Sequence, residues 1–247
     1  MMRQMILGSL IFLALFLSSC ATKVLGLKQS SNFTYSAIMD GKIVVGGVTS
    51  ALGPLEEGKS VSLANLLRTS ILEERKSFSV GSVGGVMNRL GSPLYLQISN
   101  EFRMNAELSD ESQKRLSKVF SDYRFVVFAR IEEDEVTQNR REESTTNDKG
   151  ETLEKVIATS TRTITALLTV YDLRLNEIAW SGSISKNGMN QNEYKKAMGL
   201  IMVIEVIKGG PETTDDRMYP YPKPPADTEL LERIFEGFAE NLPKKED

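Results

Sequence analysis

The only cysteine of the chain, Cys20, stands at the end of an apolar N-terminal run, and this feature limits the fold more than any other. The run extends from Met5 to Leu17 and is interrupted by only one glycine and one serine. It is shorter than the roughly 20 apolar residues that a membrane-spanning helix needs, but it has the length of a signal-peptide core. A single cysteine also excludes any disulfide bond within the chain. We therefore expect residues 1–19 to be a signal peptide that takes no part in the fold.

The four residues from Leu17 to Cys20 resemble the lipobox of bacterial lipoproteins, in which small residues precede a cysteine that is lipidated and becomes the new N-terminus. The resemblance implies acylation of Cys20, for example by palmitate; an ordinary secretory signal with a stray cysteine is the alternative. Two or more acyl chains anchor a protein stably, whereas one does so only marginally. Ala21 occupies the position where an aspartate favours inner-membrane retention in many Gram-negative bacteria. The expected location is the cell envelope, at the outer membrane and facing the periplasm.

The composition excludes several kinds of functional site. The chain contains no histidine, so neither a Ser-His-Asp triad nor a His-ligated metal site can form. With Cys20 acylated, thiolate chemistry and zinc–thiolate sites are excluded too. The formal net charge is −3 and no dense block of Lys and Arg is present, which argues against nucleic-acid binding. Oxygen-ligated cations remain open, but the acidic run 132–135 lacks the spacing of a calcium loop and is predicted to be a solvated strand end. We expect no catalytic residue, cofactor or metal ligand.

Composition shifts divide the chain into five segments. We predict a signal peptide, a lipid-anchored tether, a periplasmic-type α/β domain, a proline-rich connector and a C-terminal amphipathic helix, over residues 1–19, 20–38, 39–210, 211–226 and 227–241. The last helix places Leu230, Ile234 and Phe238 on one side and charged residues opposite. That apolar stripe either docks on its own domain or contacts a partner.

The domain is predicted to be α/β or α+β, with a single mixed sheet of about four to five strands flanked by helices. Strands are predicted at 42–48, 78–81, 124–131 and in a hairpin over 163–184. Helices are predicted at 60–75, from Pro93 onward and after Ser109. The charged, Thr- and Asn-rich span 132–155 is predicted to be a long exposed loop or a hairpin tip. The apolar span 198–207 fits either a strand or a buried helix.

From Gly53 to Ser60 the sequence fits G-x-x-x-x-G-K-[ST], the pattern of a phosphate-binding loop between a strand and a helix. A later apolar run ends in Asp172, as a magnesium-binding partner would. A phosphate cradle presents main-chain N–H groups to negative charge, but Pro54 lacks that group and the glutamates after it would lie beside a triphosphate. The segment is therefore predicted to be a loop in which Ser60 caps a helix. A nucleotide-binding enzyme is the alternative, for which Lys59 is the discriminating residue.

Three stretches carry a pattern shared with a known group of proteins. They are 41–45, 123–127 and the hairpin 168–182, in which an Asp-Leu pair precedes the turn and a Trp-Ser pair follows it. Their order resembles the periplasmic α/β domain of the curli-secretion channel lipoprotein and of the lipoprotein activator of penicillin-binding proteins. The resemblance covers about residues 40–185 and transfers no catalytic residue. It implies a non-enzymatic role in envelope assembly or secretion.

The sequence therefore predicts a lipid-anchored envelope lipoprotein that acts as a non-catalytic protein-binding or scaffold module. Its expected partners are the membrane, through Cys20, and an envelope protein, through the span 132–155 and the terminal helix. The first alternative is an oligomeric secretion-channel component of the curli type, although residues 132–162 are too charged and too rich in Thr and Asn to face lipid. The second is the nucleotide-binding protein with its loop from Gly53 to Ser60.

Overall fold

One mixed sheet forms the centre of the fold. The computed structural model describes residues 22–146, 148, 150, 152–196 and 214–245. In this part of the chain the sheet has six strands, which are β1 (Leu25–Gln29), β2 (Ile43–Ser50), β3 (Val80–Gly81), β4 (Phe125–Thr146), β5 (Thr152–Asp172) and β6 (Glu177–Lys195). Their order in the sheet is β1-β6-β5-β4-β2-β3. Strand β2 pairs in parallel with β3 and β4, and the other pairs are antiparallel.

Seven helices are described alongside the sheet. They are α1 (Tyr35–Gly41), α2 (Glu57–Glu74), α3 (Val83–Leu90), α4 (Ser92–Asn105), α5 (Asp110–Val119), α6 (Thr214–Met218) and α7 (Asp227–Glu240). Three of them, α1, α3 and α5, have a short polar N-cap residue. Thr34, Ser82 and Ser109 each accept a hydrogen bond from a main-chain N–H of the first helical turn. The predicted cap at Ser109 is therefore confirmed.

The predicted fold class is confirmed, but the sheet has six strands rather than four or five. One additional strand, β1, lies within the span assigned to the tether. It pairs with β6 at the sheet edge, and all five of its side chains are exposed. Its two apolar side chains, Leu25 and Leu27, are both about half exposed, and two alternating residues are too few to indicate a strand. Residues 198–207, for which strand and helix were both open, lie outside the described residues.

Aromatic side chains pack closely against two consecutive glycines of β2. A Cβ atom at Gly46 would lie 2.4 Å from the ring of Phe128, and one at Gly47 would lie 2.9 Å from the phenol oxygen of Tyr95. The Phe128 ring also packs against Phe102 of α4, with centroids 5.2 Å apart. Glycine is therefore required at both positions, because the aromatic side chains occupy the space that a larger residue would fill.

The span 132–155 is not a long loop. Strands β4 and β5 remain paired from Glu133 opposite Thr165 to Thr146 opposite Thr152, and β6 continues on the other side of β5 as far as Lys195. A bulge at Glu132 changes which side chains face each side of the sheet. We call this three-stranded extension (residues 133–146, 152–165 and 185–195) the arm. The prediction of a long loop was wrong, because charged and polar side chains are compatible with strands that water contacts. The alternative, the tip of a hairpin, agrees with the pairing of β4 and β5 as far as Thr146 opposite Thr152.

Helix α7 docks on its own domain. Its buried side chains include Leu230, Leu231, Ile234, Phe235 and Phe238. The ring of Phe238 packs edge-on against Trp180 of β6, with centroids 5.0 Å apart. The sequence allowed the apolar stripe of this helix either to dock on its own domain or to contact a partner. The stripe belongs to the core, so the hypothesis of partner contact is wrong for this face.

Candidate functional site

The phosphate-loop-like segment lies between β2 and α2, as the pattern requires, but its side chains are engaged elsewhere. The Nζ atom of Lys59 forms an ion pair with Oδ2 of Asp227, at the start of α7, over 2.6 Å. The hydroxyl of Ser60 donates to the main-chain oxygen of Val48 over 2.7 Å. It therefore does not cap α2, which begins at Glu57.

The acidic partner of the supposed nucleotide site is engaged as well. The carboxylate of Asp172 is buried and accepts hydrogen bonds from Arg124 and from two main-chain N–H groups of the β5–β6 turn. It stabilises that turn and is not available to a metal ion. These contacts, together with Pro54, argue against a phosphate-binding loop.

Replacing Lys59 by alanine is expected to lower the free energy of unfolding by less than about 1 kcal/mol at pH 7, because both partners of its ion pair are partly exposed. The hydrogen bond from Lys59 lowers the pKa of the Asp227 carboxyl. The contribution is therefore complete above the ordinary aspartate pKa of about 3.9 and disappears as the pH falls through the lowered pKa. Urea denaturation of both proteins at pH 7 and below pH 3 measures this difference. Magnesium-dependent nucleotide binding that Lys59→Ala abolishes would contradict the assignment.

A cavity of about 300 Å³ opens beside the same segment, at the carboxyl end of β2. Helices α2 and α4 form its opposite walls. Apolar and polar side chains both line it, among them Val48, Leu55, Val61, Met87, Leu96 and, on the polar side, Glu57, Ser60, Tyr95, Ser99 and Arg103. Crevices outside the carboxyl ends of strands are common ligand sites in open α/β sheets. The sequence did not single out this cavity, although the Gly-Gly pair in β2 was a signal of close side-chain approach.

Tyr95 forms the floor of the cavity. It is 8% exposed, and its phenol oxygen lies over Gly47, where no side chain obstructs it. Burial raises the pKa of the Tyr95 phenol, and the negative charge of Glu57 raises it further, while the hydroxyls of Ser99 and Ser60 oppose the shift. The phenol is therefore protonated at neutral pH and acts as a hydrogen-bonding group rather than as a base.

One face of the arm is covered by residues 219–225, which we call the strap. Arm side chains donate hydrogen bonds to five main-chain oxygens of the strap, in the pairs Arg140–Tyr219, Tyr194–Pro220, Ser160–Pro222, Asn190–Lys223 and Arg162–Pro225. The guanidinium of Arg140 also lies 3.9 Å from the ring centre of Tyr221. The proline-rich connector is thus fixed to the arm, because proline-rich main chain leaves its carbonyl groups free for such contacts.

The opposite face of the arm presents polar side chains to solvent. Side chains alternate between the faces of a sheet, and three rows of opposed residues point away from the strap. We call these rows the polar face, and they are Glu135–Thr163–Asn187, Thr137–Thr161–Met189 and Asn139–Thr159–Gln191. All nine residues are exposed or half-buried. Three of these residues, Glu135, Thr137 and Asn139, lie within the span 132–155 that the sequence assigned to partner contact, and the other six lie on β5 and β6 beyond it.

Two residues of the acidic run at the base of the arm form local contacts. Asp134 forms an ion pair with Arg162 over 2.5 Å, and Glu133 accepts a hydrogen bond from Thr165. Within the described ranges, no group of three or more Asp, Glu or Cys side chains converges as metal ligands would. Nor is any helix of those ranges long and apolar enough to cross a membrane. Cys20, the expected lipidation site, lies outside the described residues.

Comparison with known proteins adds a likeness in structure. No family model matches the chain, and no curated protein matches it. Among solved structures it is similar to a PelC dodecamer from Paraburkholderia phytofirmans, with 9% identity, a TM-score of 0.38, and 90% of this chain and 99% of that chain covered. The LpoB C-terminal domain from Salmonella enterica matches with 14% identity, a TM-score of 0.35, and 60% and 82% covered.

A third solved structure, lipoprotein GNA1162 from Neisseria meningitidis, matches with 17% identity, a TM-score of 0.34, and 68% of this chain and 96% of that chain covered. The group that the sequence resembles is represented among these structures, and the suspected resemblance is confirmed in that respect. At such identities and TM-scores, the likeness transfers neither a site nor an activity to this chain.

Proposed function

We propose that this chain is a lipid-anchored lipoprotein of the cell envelope that acts as a non-catalytic protein-binding module. The observation that carries the proposal is the sequence from Leu17 to Cys20 at the end of an apolar run, in a chain with no other cysteine. Lipid on Cys20 would hold the domain at a membrane, with the outer membrane facing the periplasm as the proposed location. No cofactor takes part in this function.

The polar face of the arm is the proposed contact surface for an envelope protein. Its hydroxyl and amide groups can donate and accept hydrogen bonds, and the rows are held in register by pairing with both neighbours of β5. Beyond Ile131 no described strand pairs with the outer edge of β4, so an extended partner segment could also add to the sheet there. The strap and α7 cover the opposite face and keep the arm rigid, which lowers the entropic cost of binding.

Photo-crosslinking in the native host tests this surface. A photoreactive amino acid at Thr161, in the centre of the polar face, is expected to link the protein to an envelope protein. The control position is Lys114, which is exposed on α5 and remote in sequence from the arm. Identical crosslinks at the two positions, or none at Thr161, would contradict the proposed surface. Crosslinks from Thr161 only to other copies of this chain would instead favour an oligomeric secretion component.

A further inference from the structure

The cavity at the carboxyl end of β2 takes no part in the proposed protein contact, since its lining comes from β2, α2, α3, α4 and the loop before α2. It is separate from the arm and from the strap. Its volume of about 300 Å³ is at the lower end of the range for small-molecule sites. The size alone therefore favours a compact ligand over a nucleotide.

The cavity carries one negative and one positive side chain that do not pair with each other. Within the described part of the chain, the carboxylate of Glu57 forms no hydrogen bond or ion pair. Arg103 uses only its Nε atom, which donates to Oδ1 of Asn100 over 3.3 Å, and its two terminal nitrogens have no acceptor among the same residues. The nearby cation Lys59, by contrast, is paired with Asp227.

The hydroxyl groups in the cavity add hydrogen-bond acceptors, with Ser60 on α2 near Glu57 and Ser99 on α4 near Arg103. Ser60 donates its proton to the oxygen of Val48, so its lone pairs remain available to a donor. The oxygen of Ser99 is buried, and its hydroxyl interacts with the Tyr95 phenol. A hydroxyl oxygen has two lone pairs, so a ligand that donates a hydrogen bond to this buried oxygen would gain affinity.

We infer that this cavity binds a small zwitterion, namely a free α-amino acid with an apolar side chain. The ammonium group contacts Glu57 and the hydroxyl oxygen of Ser60, and the carboxylate accepts hydrogen bonds from the terminal nitrogens of Arg103. The apolar side chain packs against the aliphatic wall formed by Val61, Met87 and Leu96.

Both charges of the ligand are needed for this fit. A ligand with an amine but no carboxylate would leave Arg103 unpaired and close to a second positive charge. A ligand with a carboxylate but no amine would leave Glu57 unpaired and close to a second negative charge. Charged hydrogen bonds are about twice as strong as neutral ones, so each should change the affinity measurably. A phosphate group is disfavoured because Glu57 lies in the first turn of α2, where phosphate-binding loops present only N–H groups.

Isothermal titration calorimetry of the full chain in detergent tests the inference with three probes of similar shape. L-leucine carries both charges, 3-methylbutylamine lacks the carboxylate, and 4-methylpentanoate lacks the amine. Leucine is expected to bind with a dissociation constant of about 1 mM or below, and at least about tenfold more tightly than either analogue. No binding of leucine, or leucine binding no tighter than both analogues, would overturn the inference.

Two charge-removing variants assign the roles of the side chains. In Arg103→Gln, leucine and 3-methylbutylamine should bind with equal affinity, and in Glu57→Gln, leucine and 4-methylpentanoate should do so. Arg115→Gln and Glu111→Gln are the matched controls, because these residues form an exposed ion pair on α5 outside the cavity. Controls that weaken leucine binding as much as the cavity variants would also overturn the assignment.

Discussion

Asp172→Asn is expected to lower the free energy of unfolding by about 3–5 kcal/mol, the range measured when one partner of a buried ion pair is removed. The side chain of Asp172 is 1% exposed, and its Oδ2 atom accepts a hydrogen bond of 2.8 Å from Nε of Arg124 and forms an ion pair with Nη2 of the same guanidinium, also over 2.8 Å. Its Oδ1 atom accepts from the N–H groups of Arg174 and Leu175, which form the β5–β6 turn. An asparagine keeps one acceptor oxygen but turns its amide donors towards Arg124, which leaves that charge without compensation.

The matched control is Asp122→Asn, which removes the carboxylate of a bidentate ion pair with Arg89. Both side chains of that pair are more than two-fifths exposed, so the expected loss is below about 1 kcal/mol. Urea denaturation followed by the fluorescence of Trp180, the only tryptophan, measures both variants. Equal losses in the two variants would contradict the structural role given to Asp172.

A chain that ends at residue 226, before α7, is expected to lose its cooperative fold. Burial of each large apolar side chain contributes about 1.5–3 kcal/mol, and α7 buries five of them. Together they contribute about 7.5–15 kcal/mol, which is comparable to the 5–15 kcal/mol that typically separates a folded domain from its unfolded state. The truncation also removes Glu240 and Leu242, whose main-chain oxygens accept hydrogen bonds from Arg75. Circular dichroism and the emission maximum of Trp180 measure the result.

A single substitution tests the same packing more gently. Phe238→Ala is expected to cost about 3–5 kcal/mol and to shift the emission of Trp180 to the red, because the two rings are in direct contact. The free energy of unfolding of Glu232→Ala, on the exposed side of the same helix, should remain within about 0.5 kcal/mol of that of the unchanged protein.

For the chain that ends at residue 226, unchanged Trp180 emission and cooperative unfolding would contradict the expected loss of the fold. That result would mean that α7 is a detachable partner-binding element.

The elements that could be predicted from the sequence are those whose apolar residues are buried in the core. Strand β2, the first half of β4 and the hairpin around Trp180 all have the apolar runs expected of strands against a core. The amphipathic stripe of α7 and the serine N-cap of α5 were also predictable from the sequence. In each case the pattern of neighbouring residues was sufficient to predict the element.

The arm and the strap could not be predicted, because neither depends on apolar alternation. The covered face of the arm is polar at Arg140, Ser160 and Asn190, and each of these side chains donates a hydrogen bond to the main chain of the strap. Every residue has a main-chain carbonyl group, so the sequence does not show which of these groups accept hydrogen bonds from the arm. The run of prolines indicated a stiff connector but not the surface on which it lies.

The cavity was missed for a different reason. Its lining combines β2, the loop before α2 and residues of α4 about 40 positions further along the chain, such as Tyr95 and Arg103. The phosphate-loop pattern lies beside the cavity, but the side chain that it singles out, Lys59, forms an ion pair with Asp227. Only the three-dimensional arrangement shows that Glu57 and Arg103 face the same space.

The lipid anchor is the central claim, and intact mass together with membrane fractionation from the native host tests it most directly. The chain is expected to begin at Cys20, to carry the added mass of acyl chains and to sediment with membranes, as should the control Ser19→Ala, which keeps a small residue before the cysteine. Cys20→Ala should be released from membranes or left unprocessed. An unmodified full-length chain in the cytosolic fraction would contradict the account.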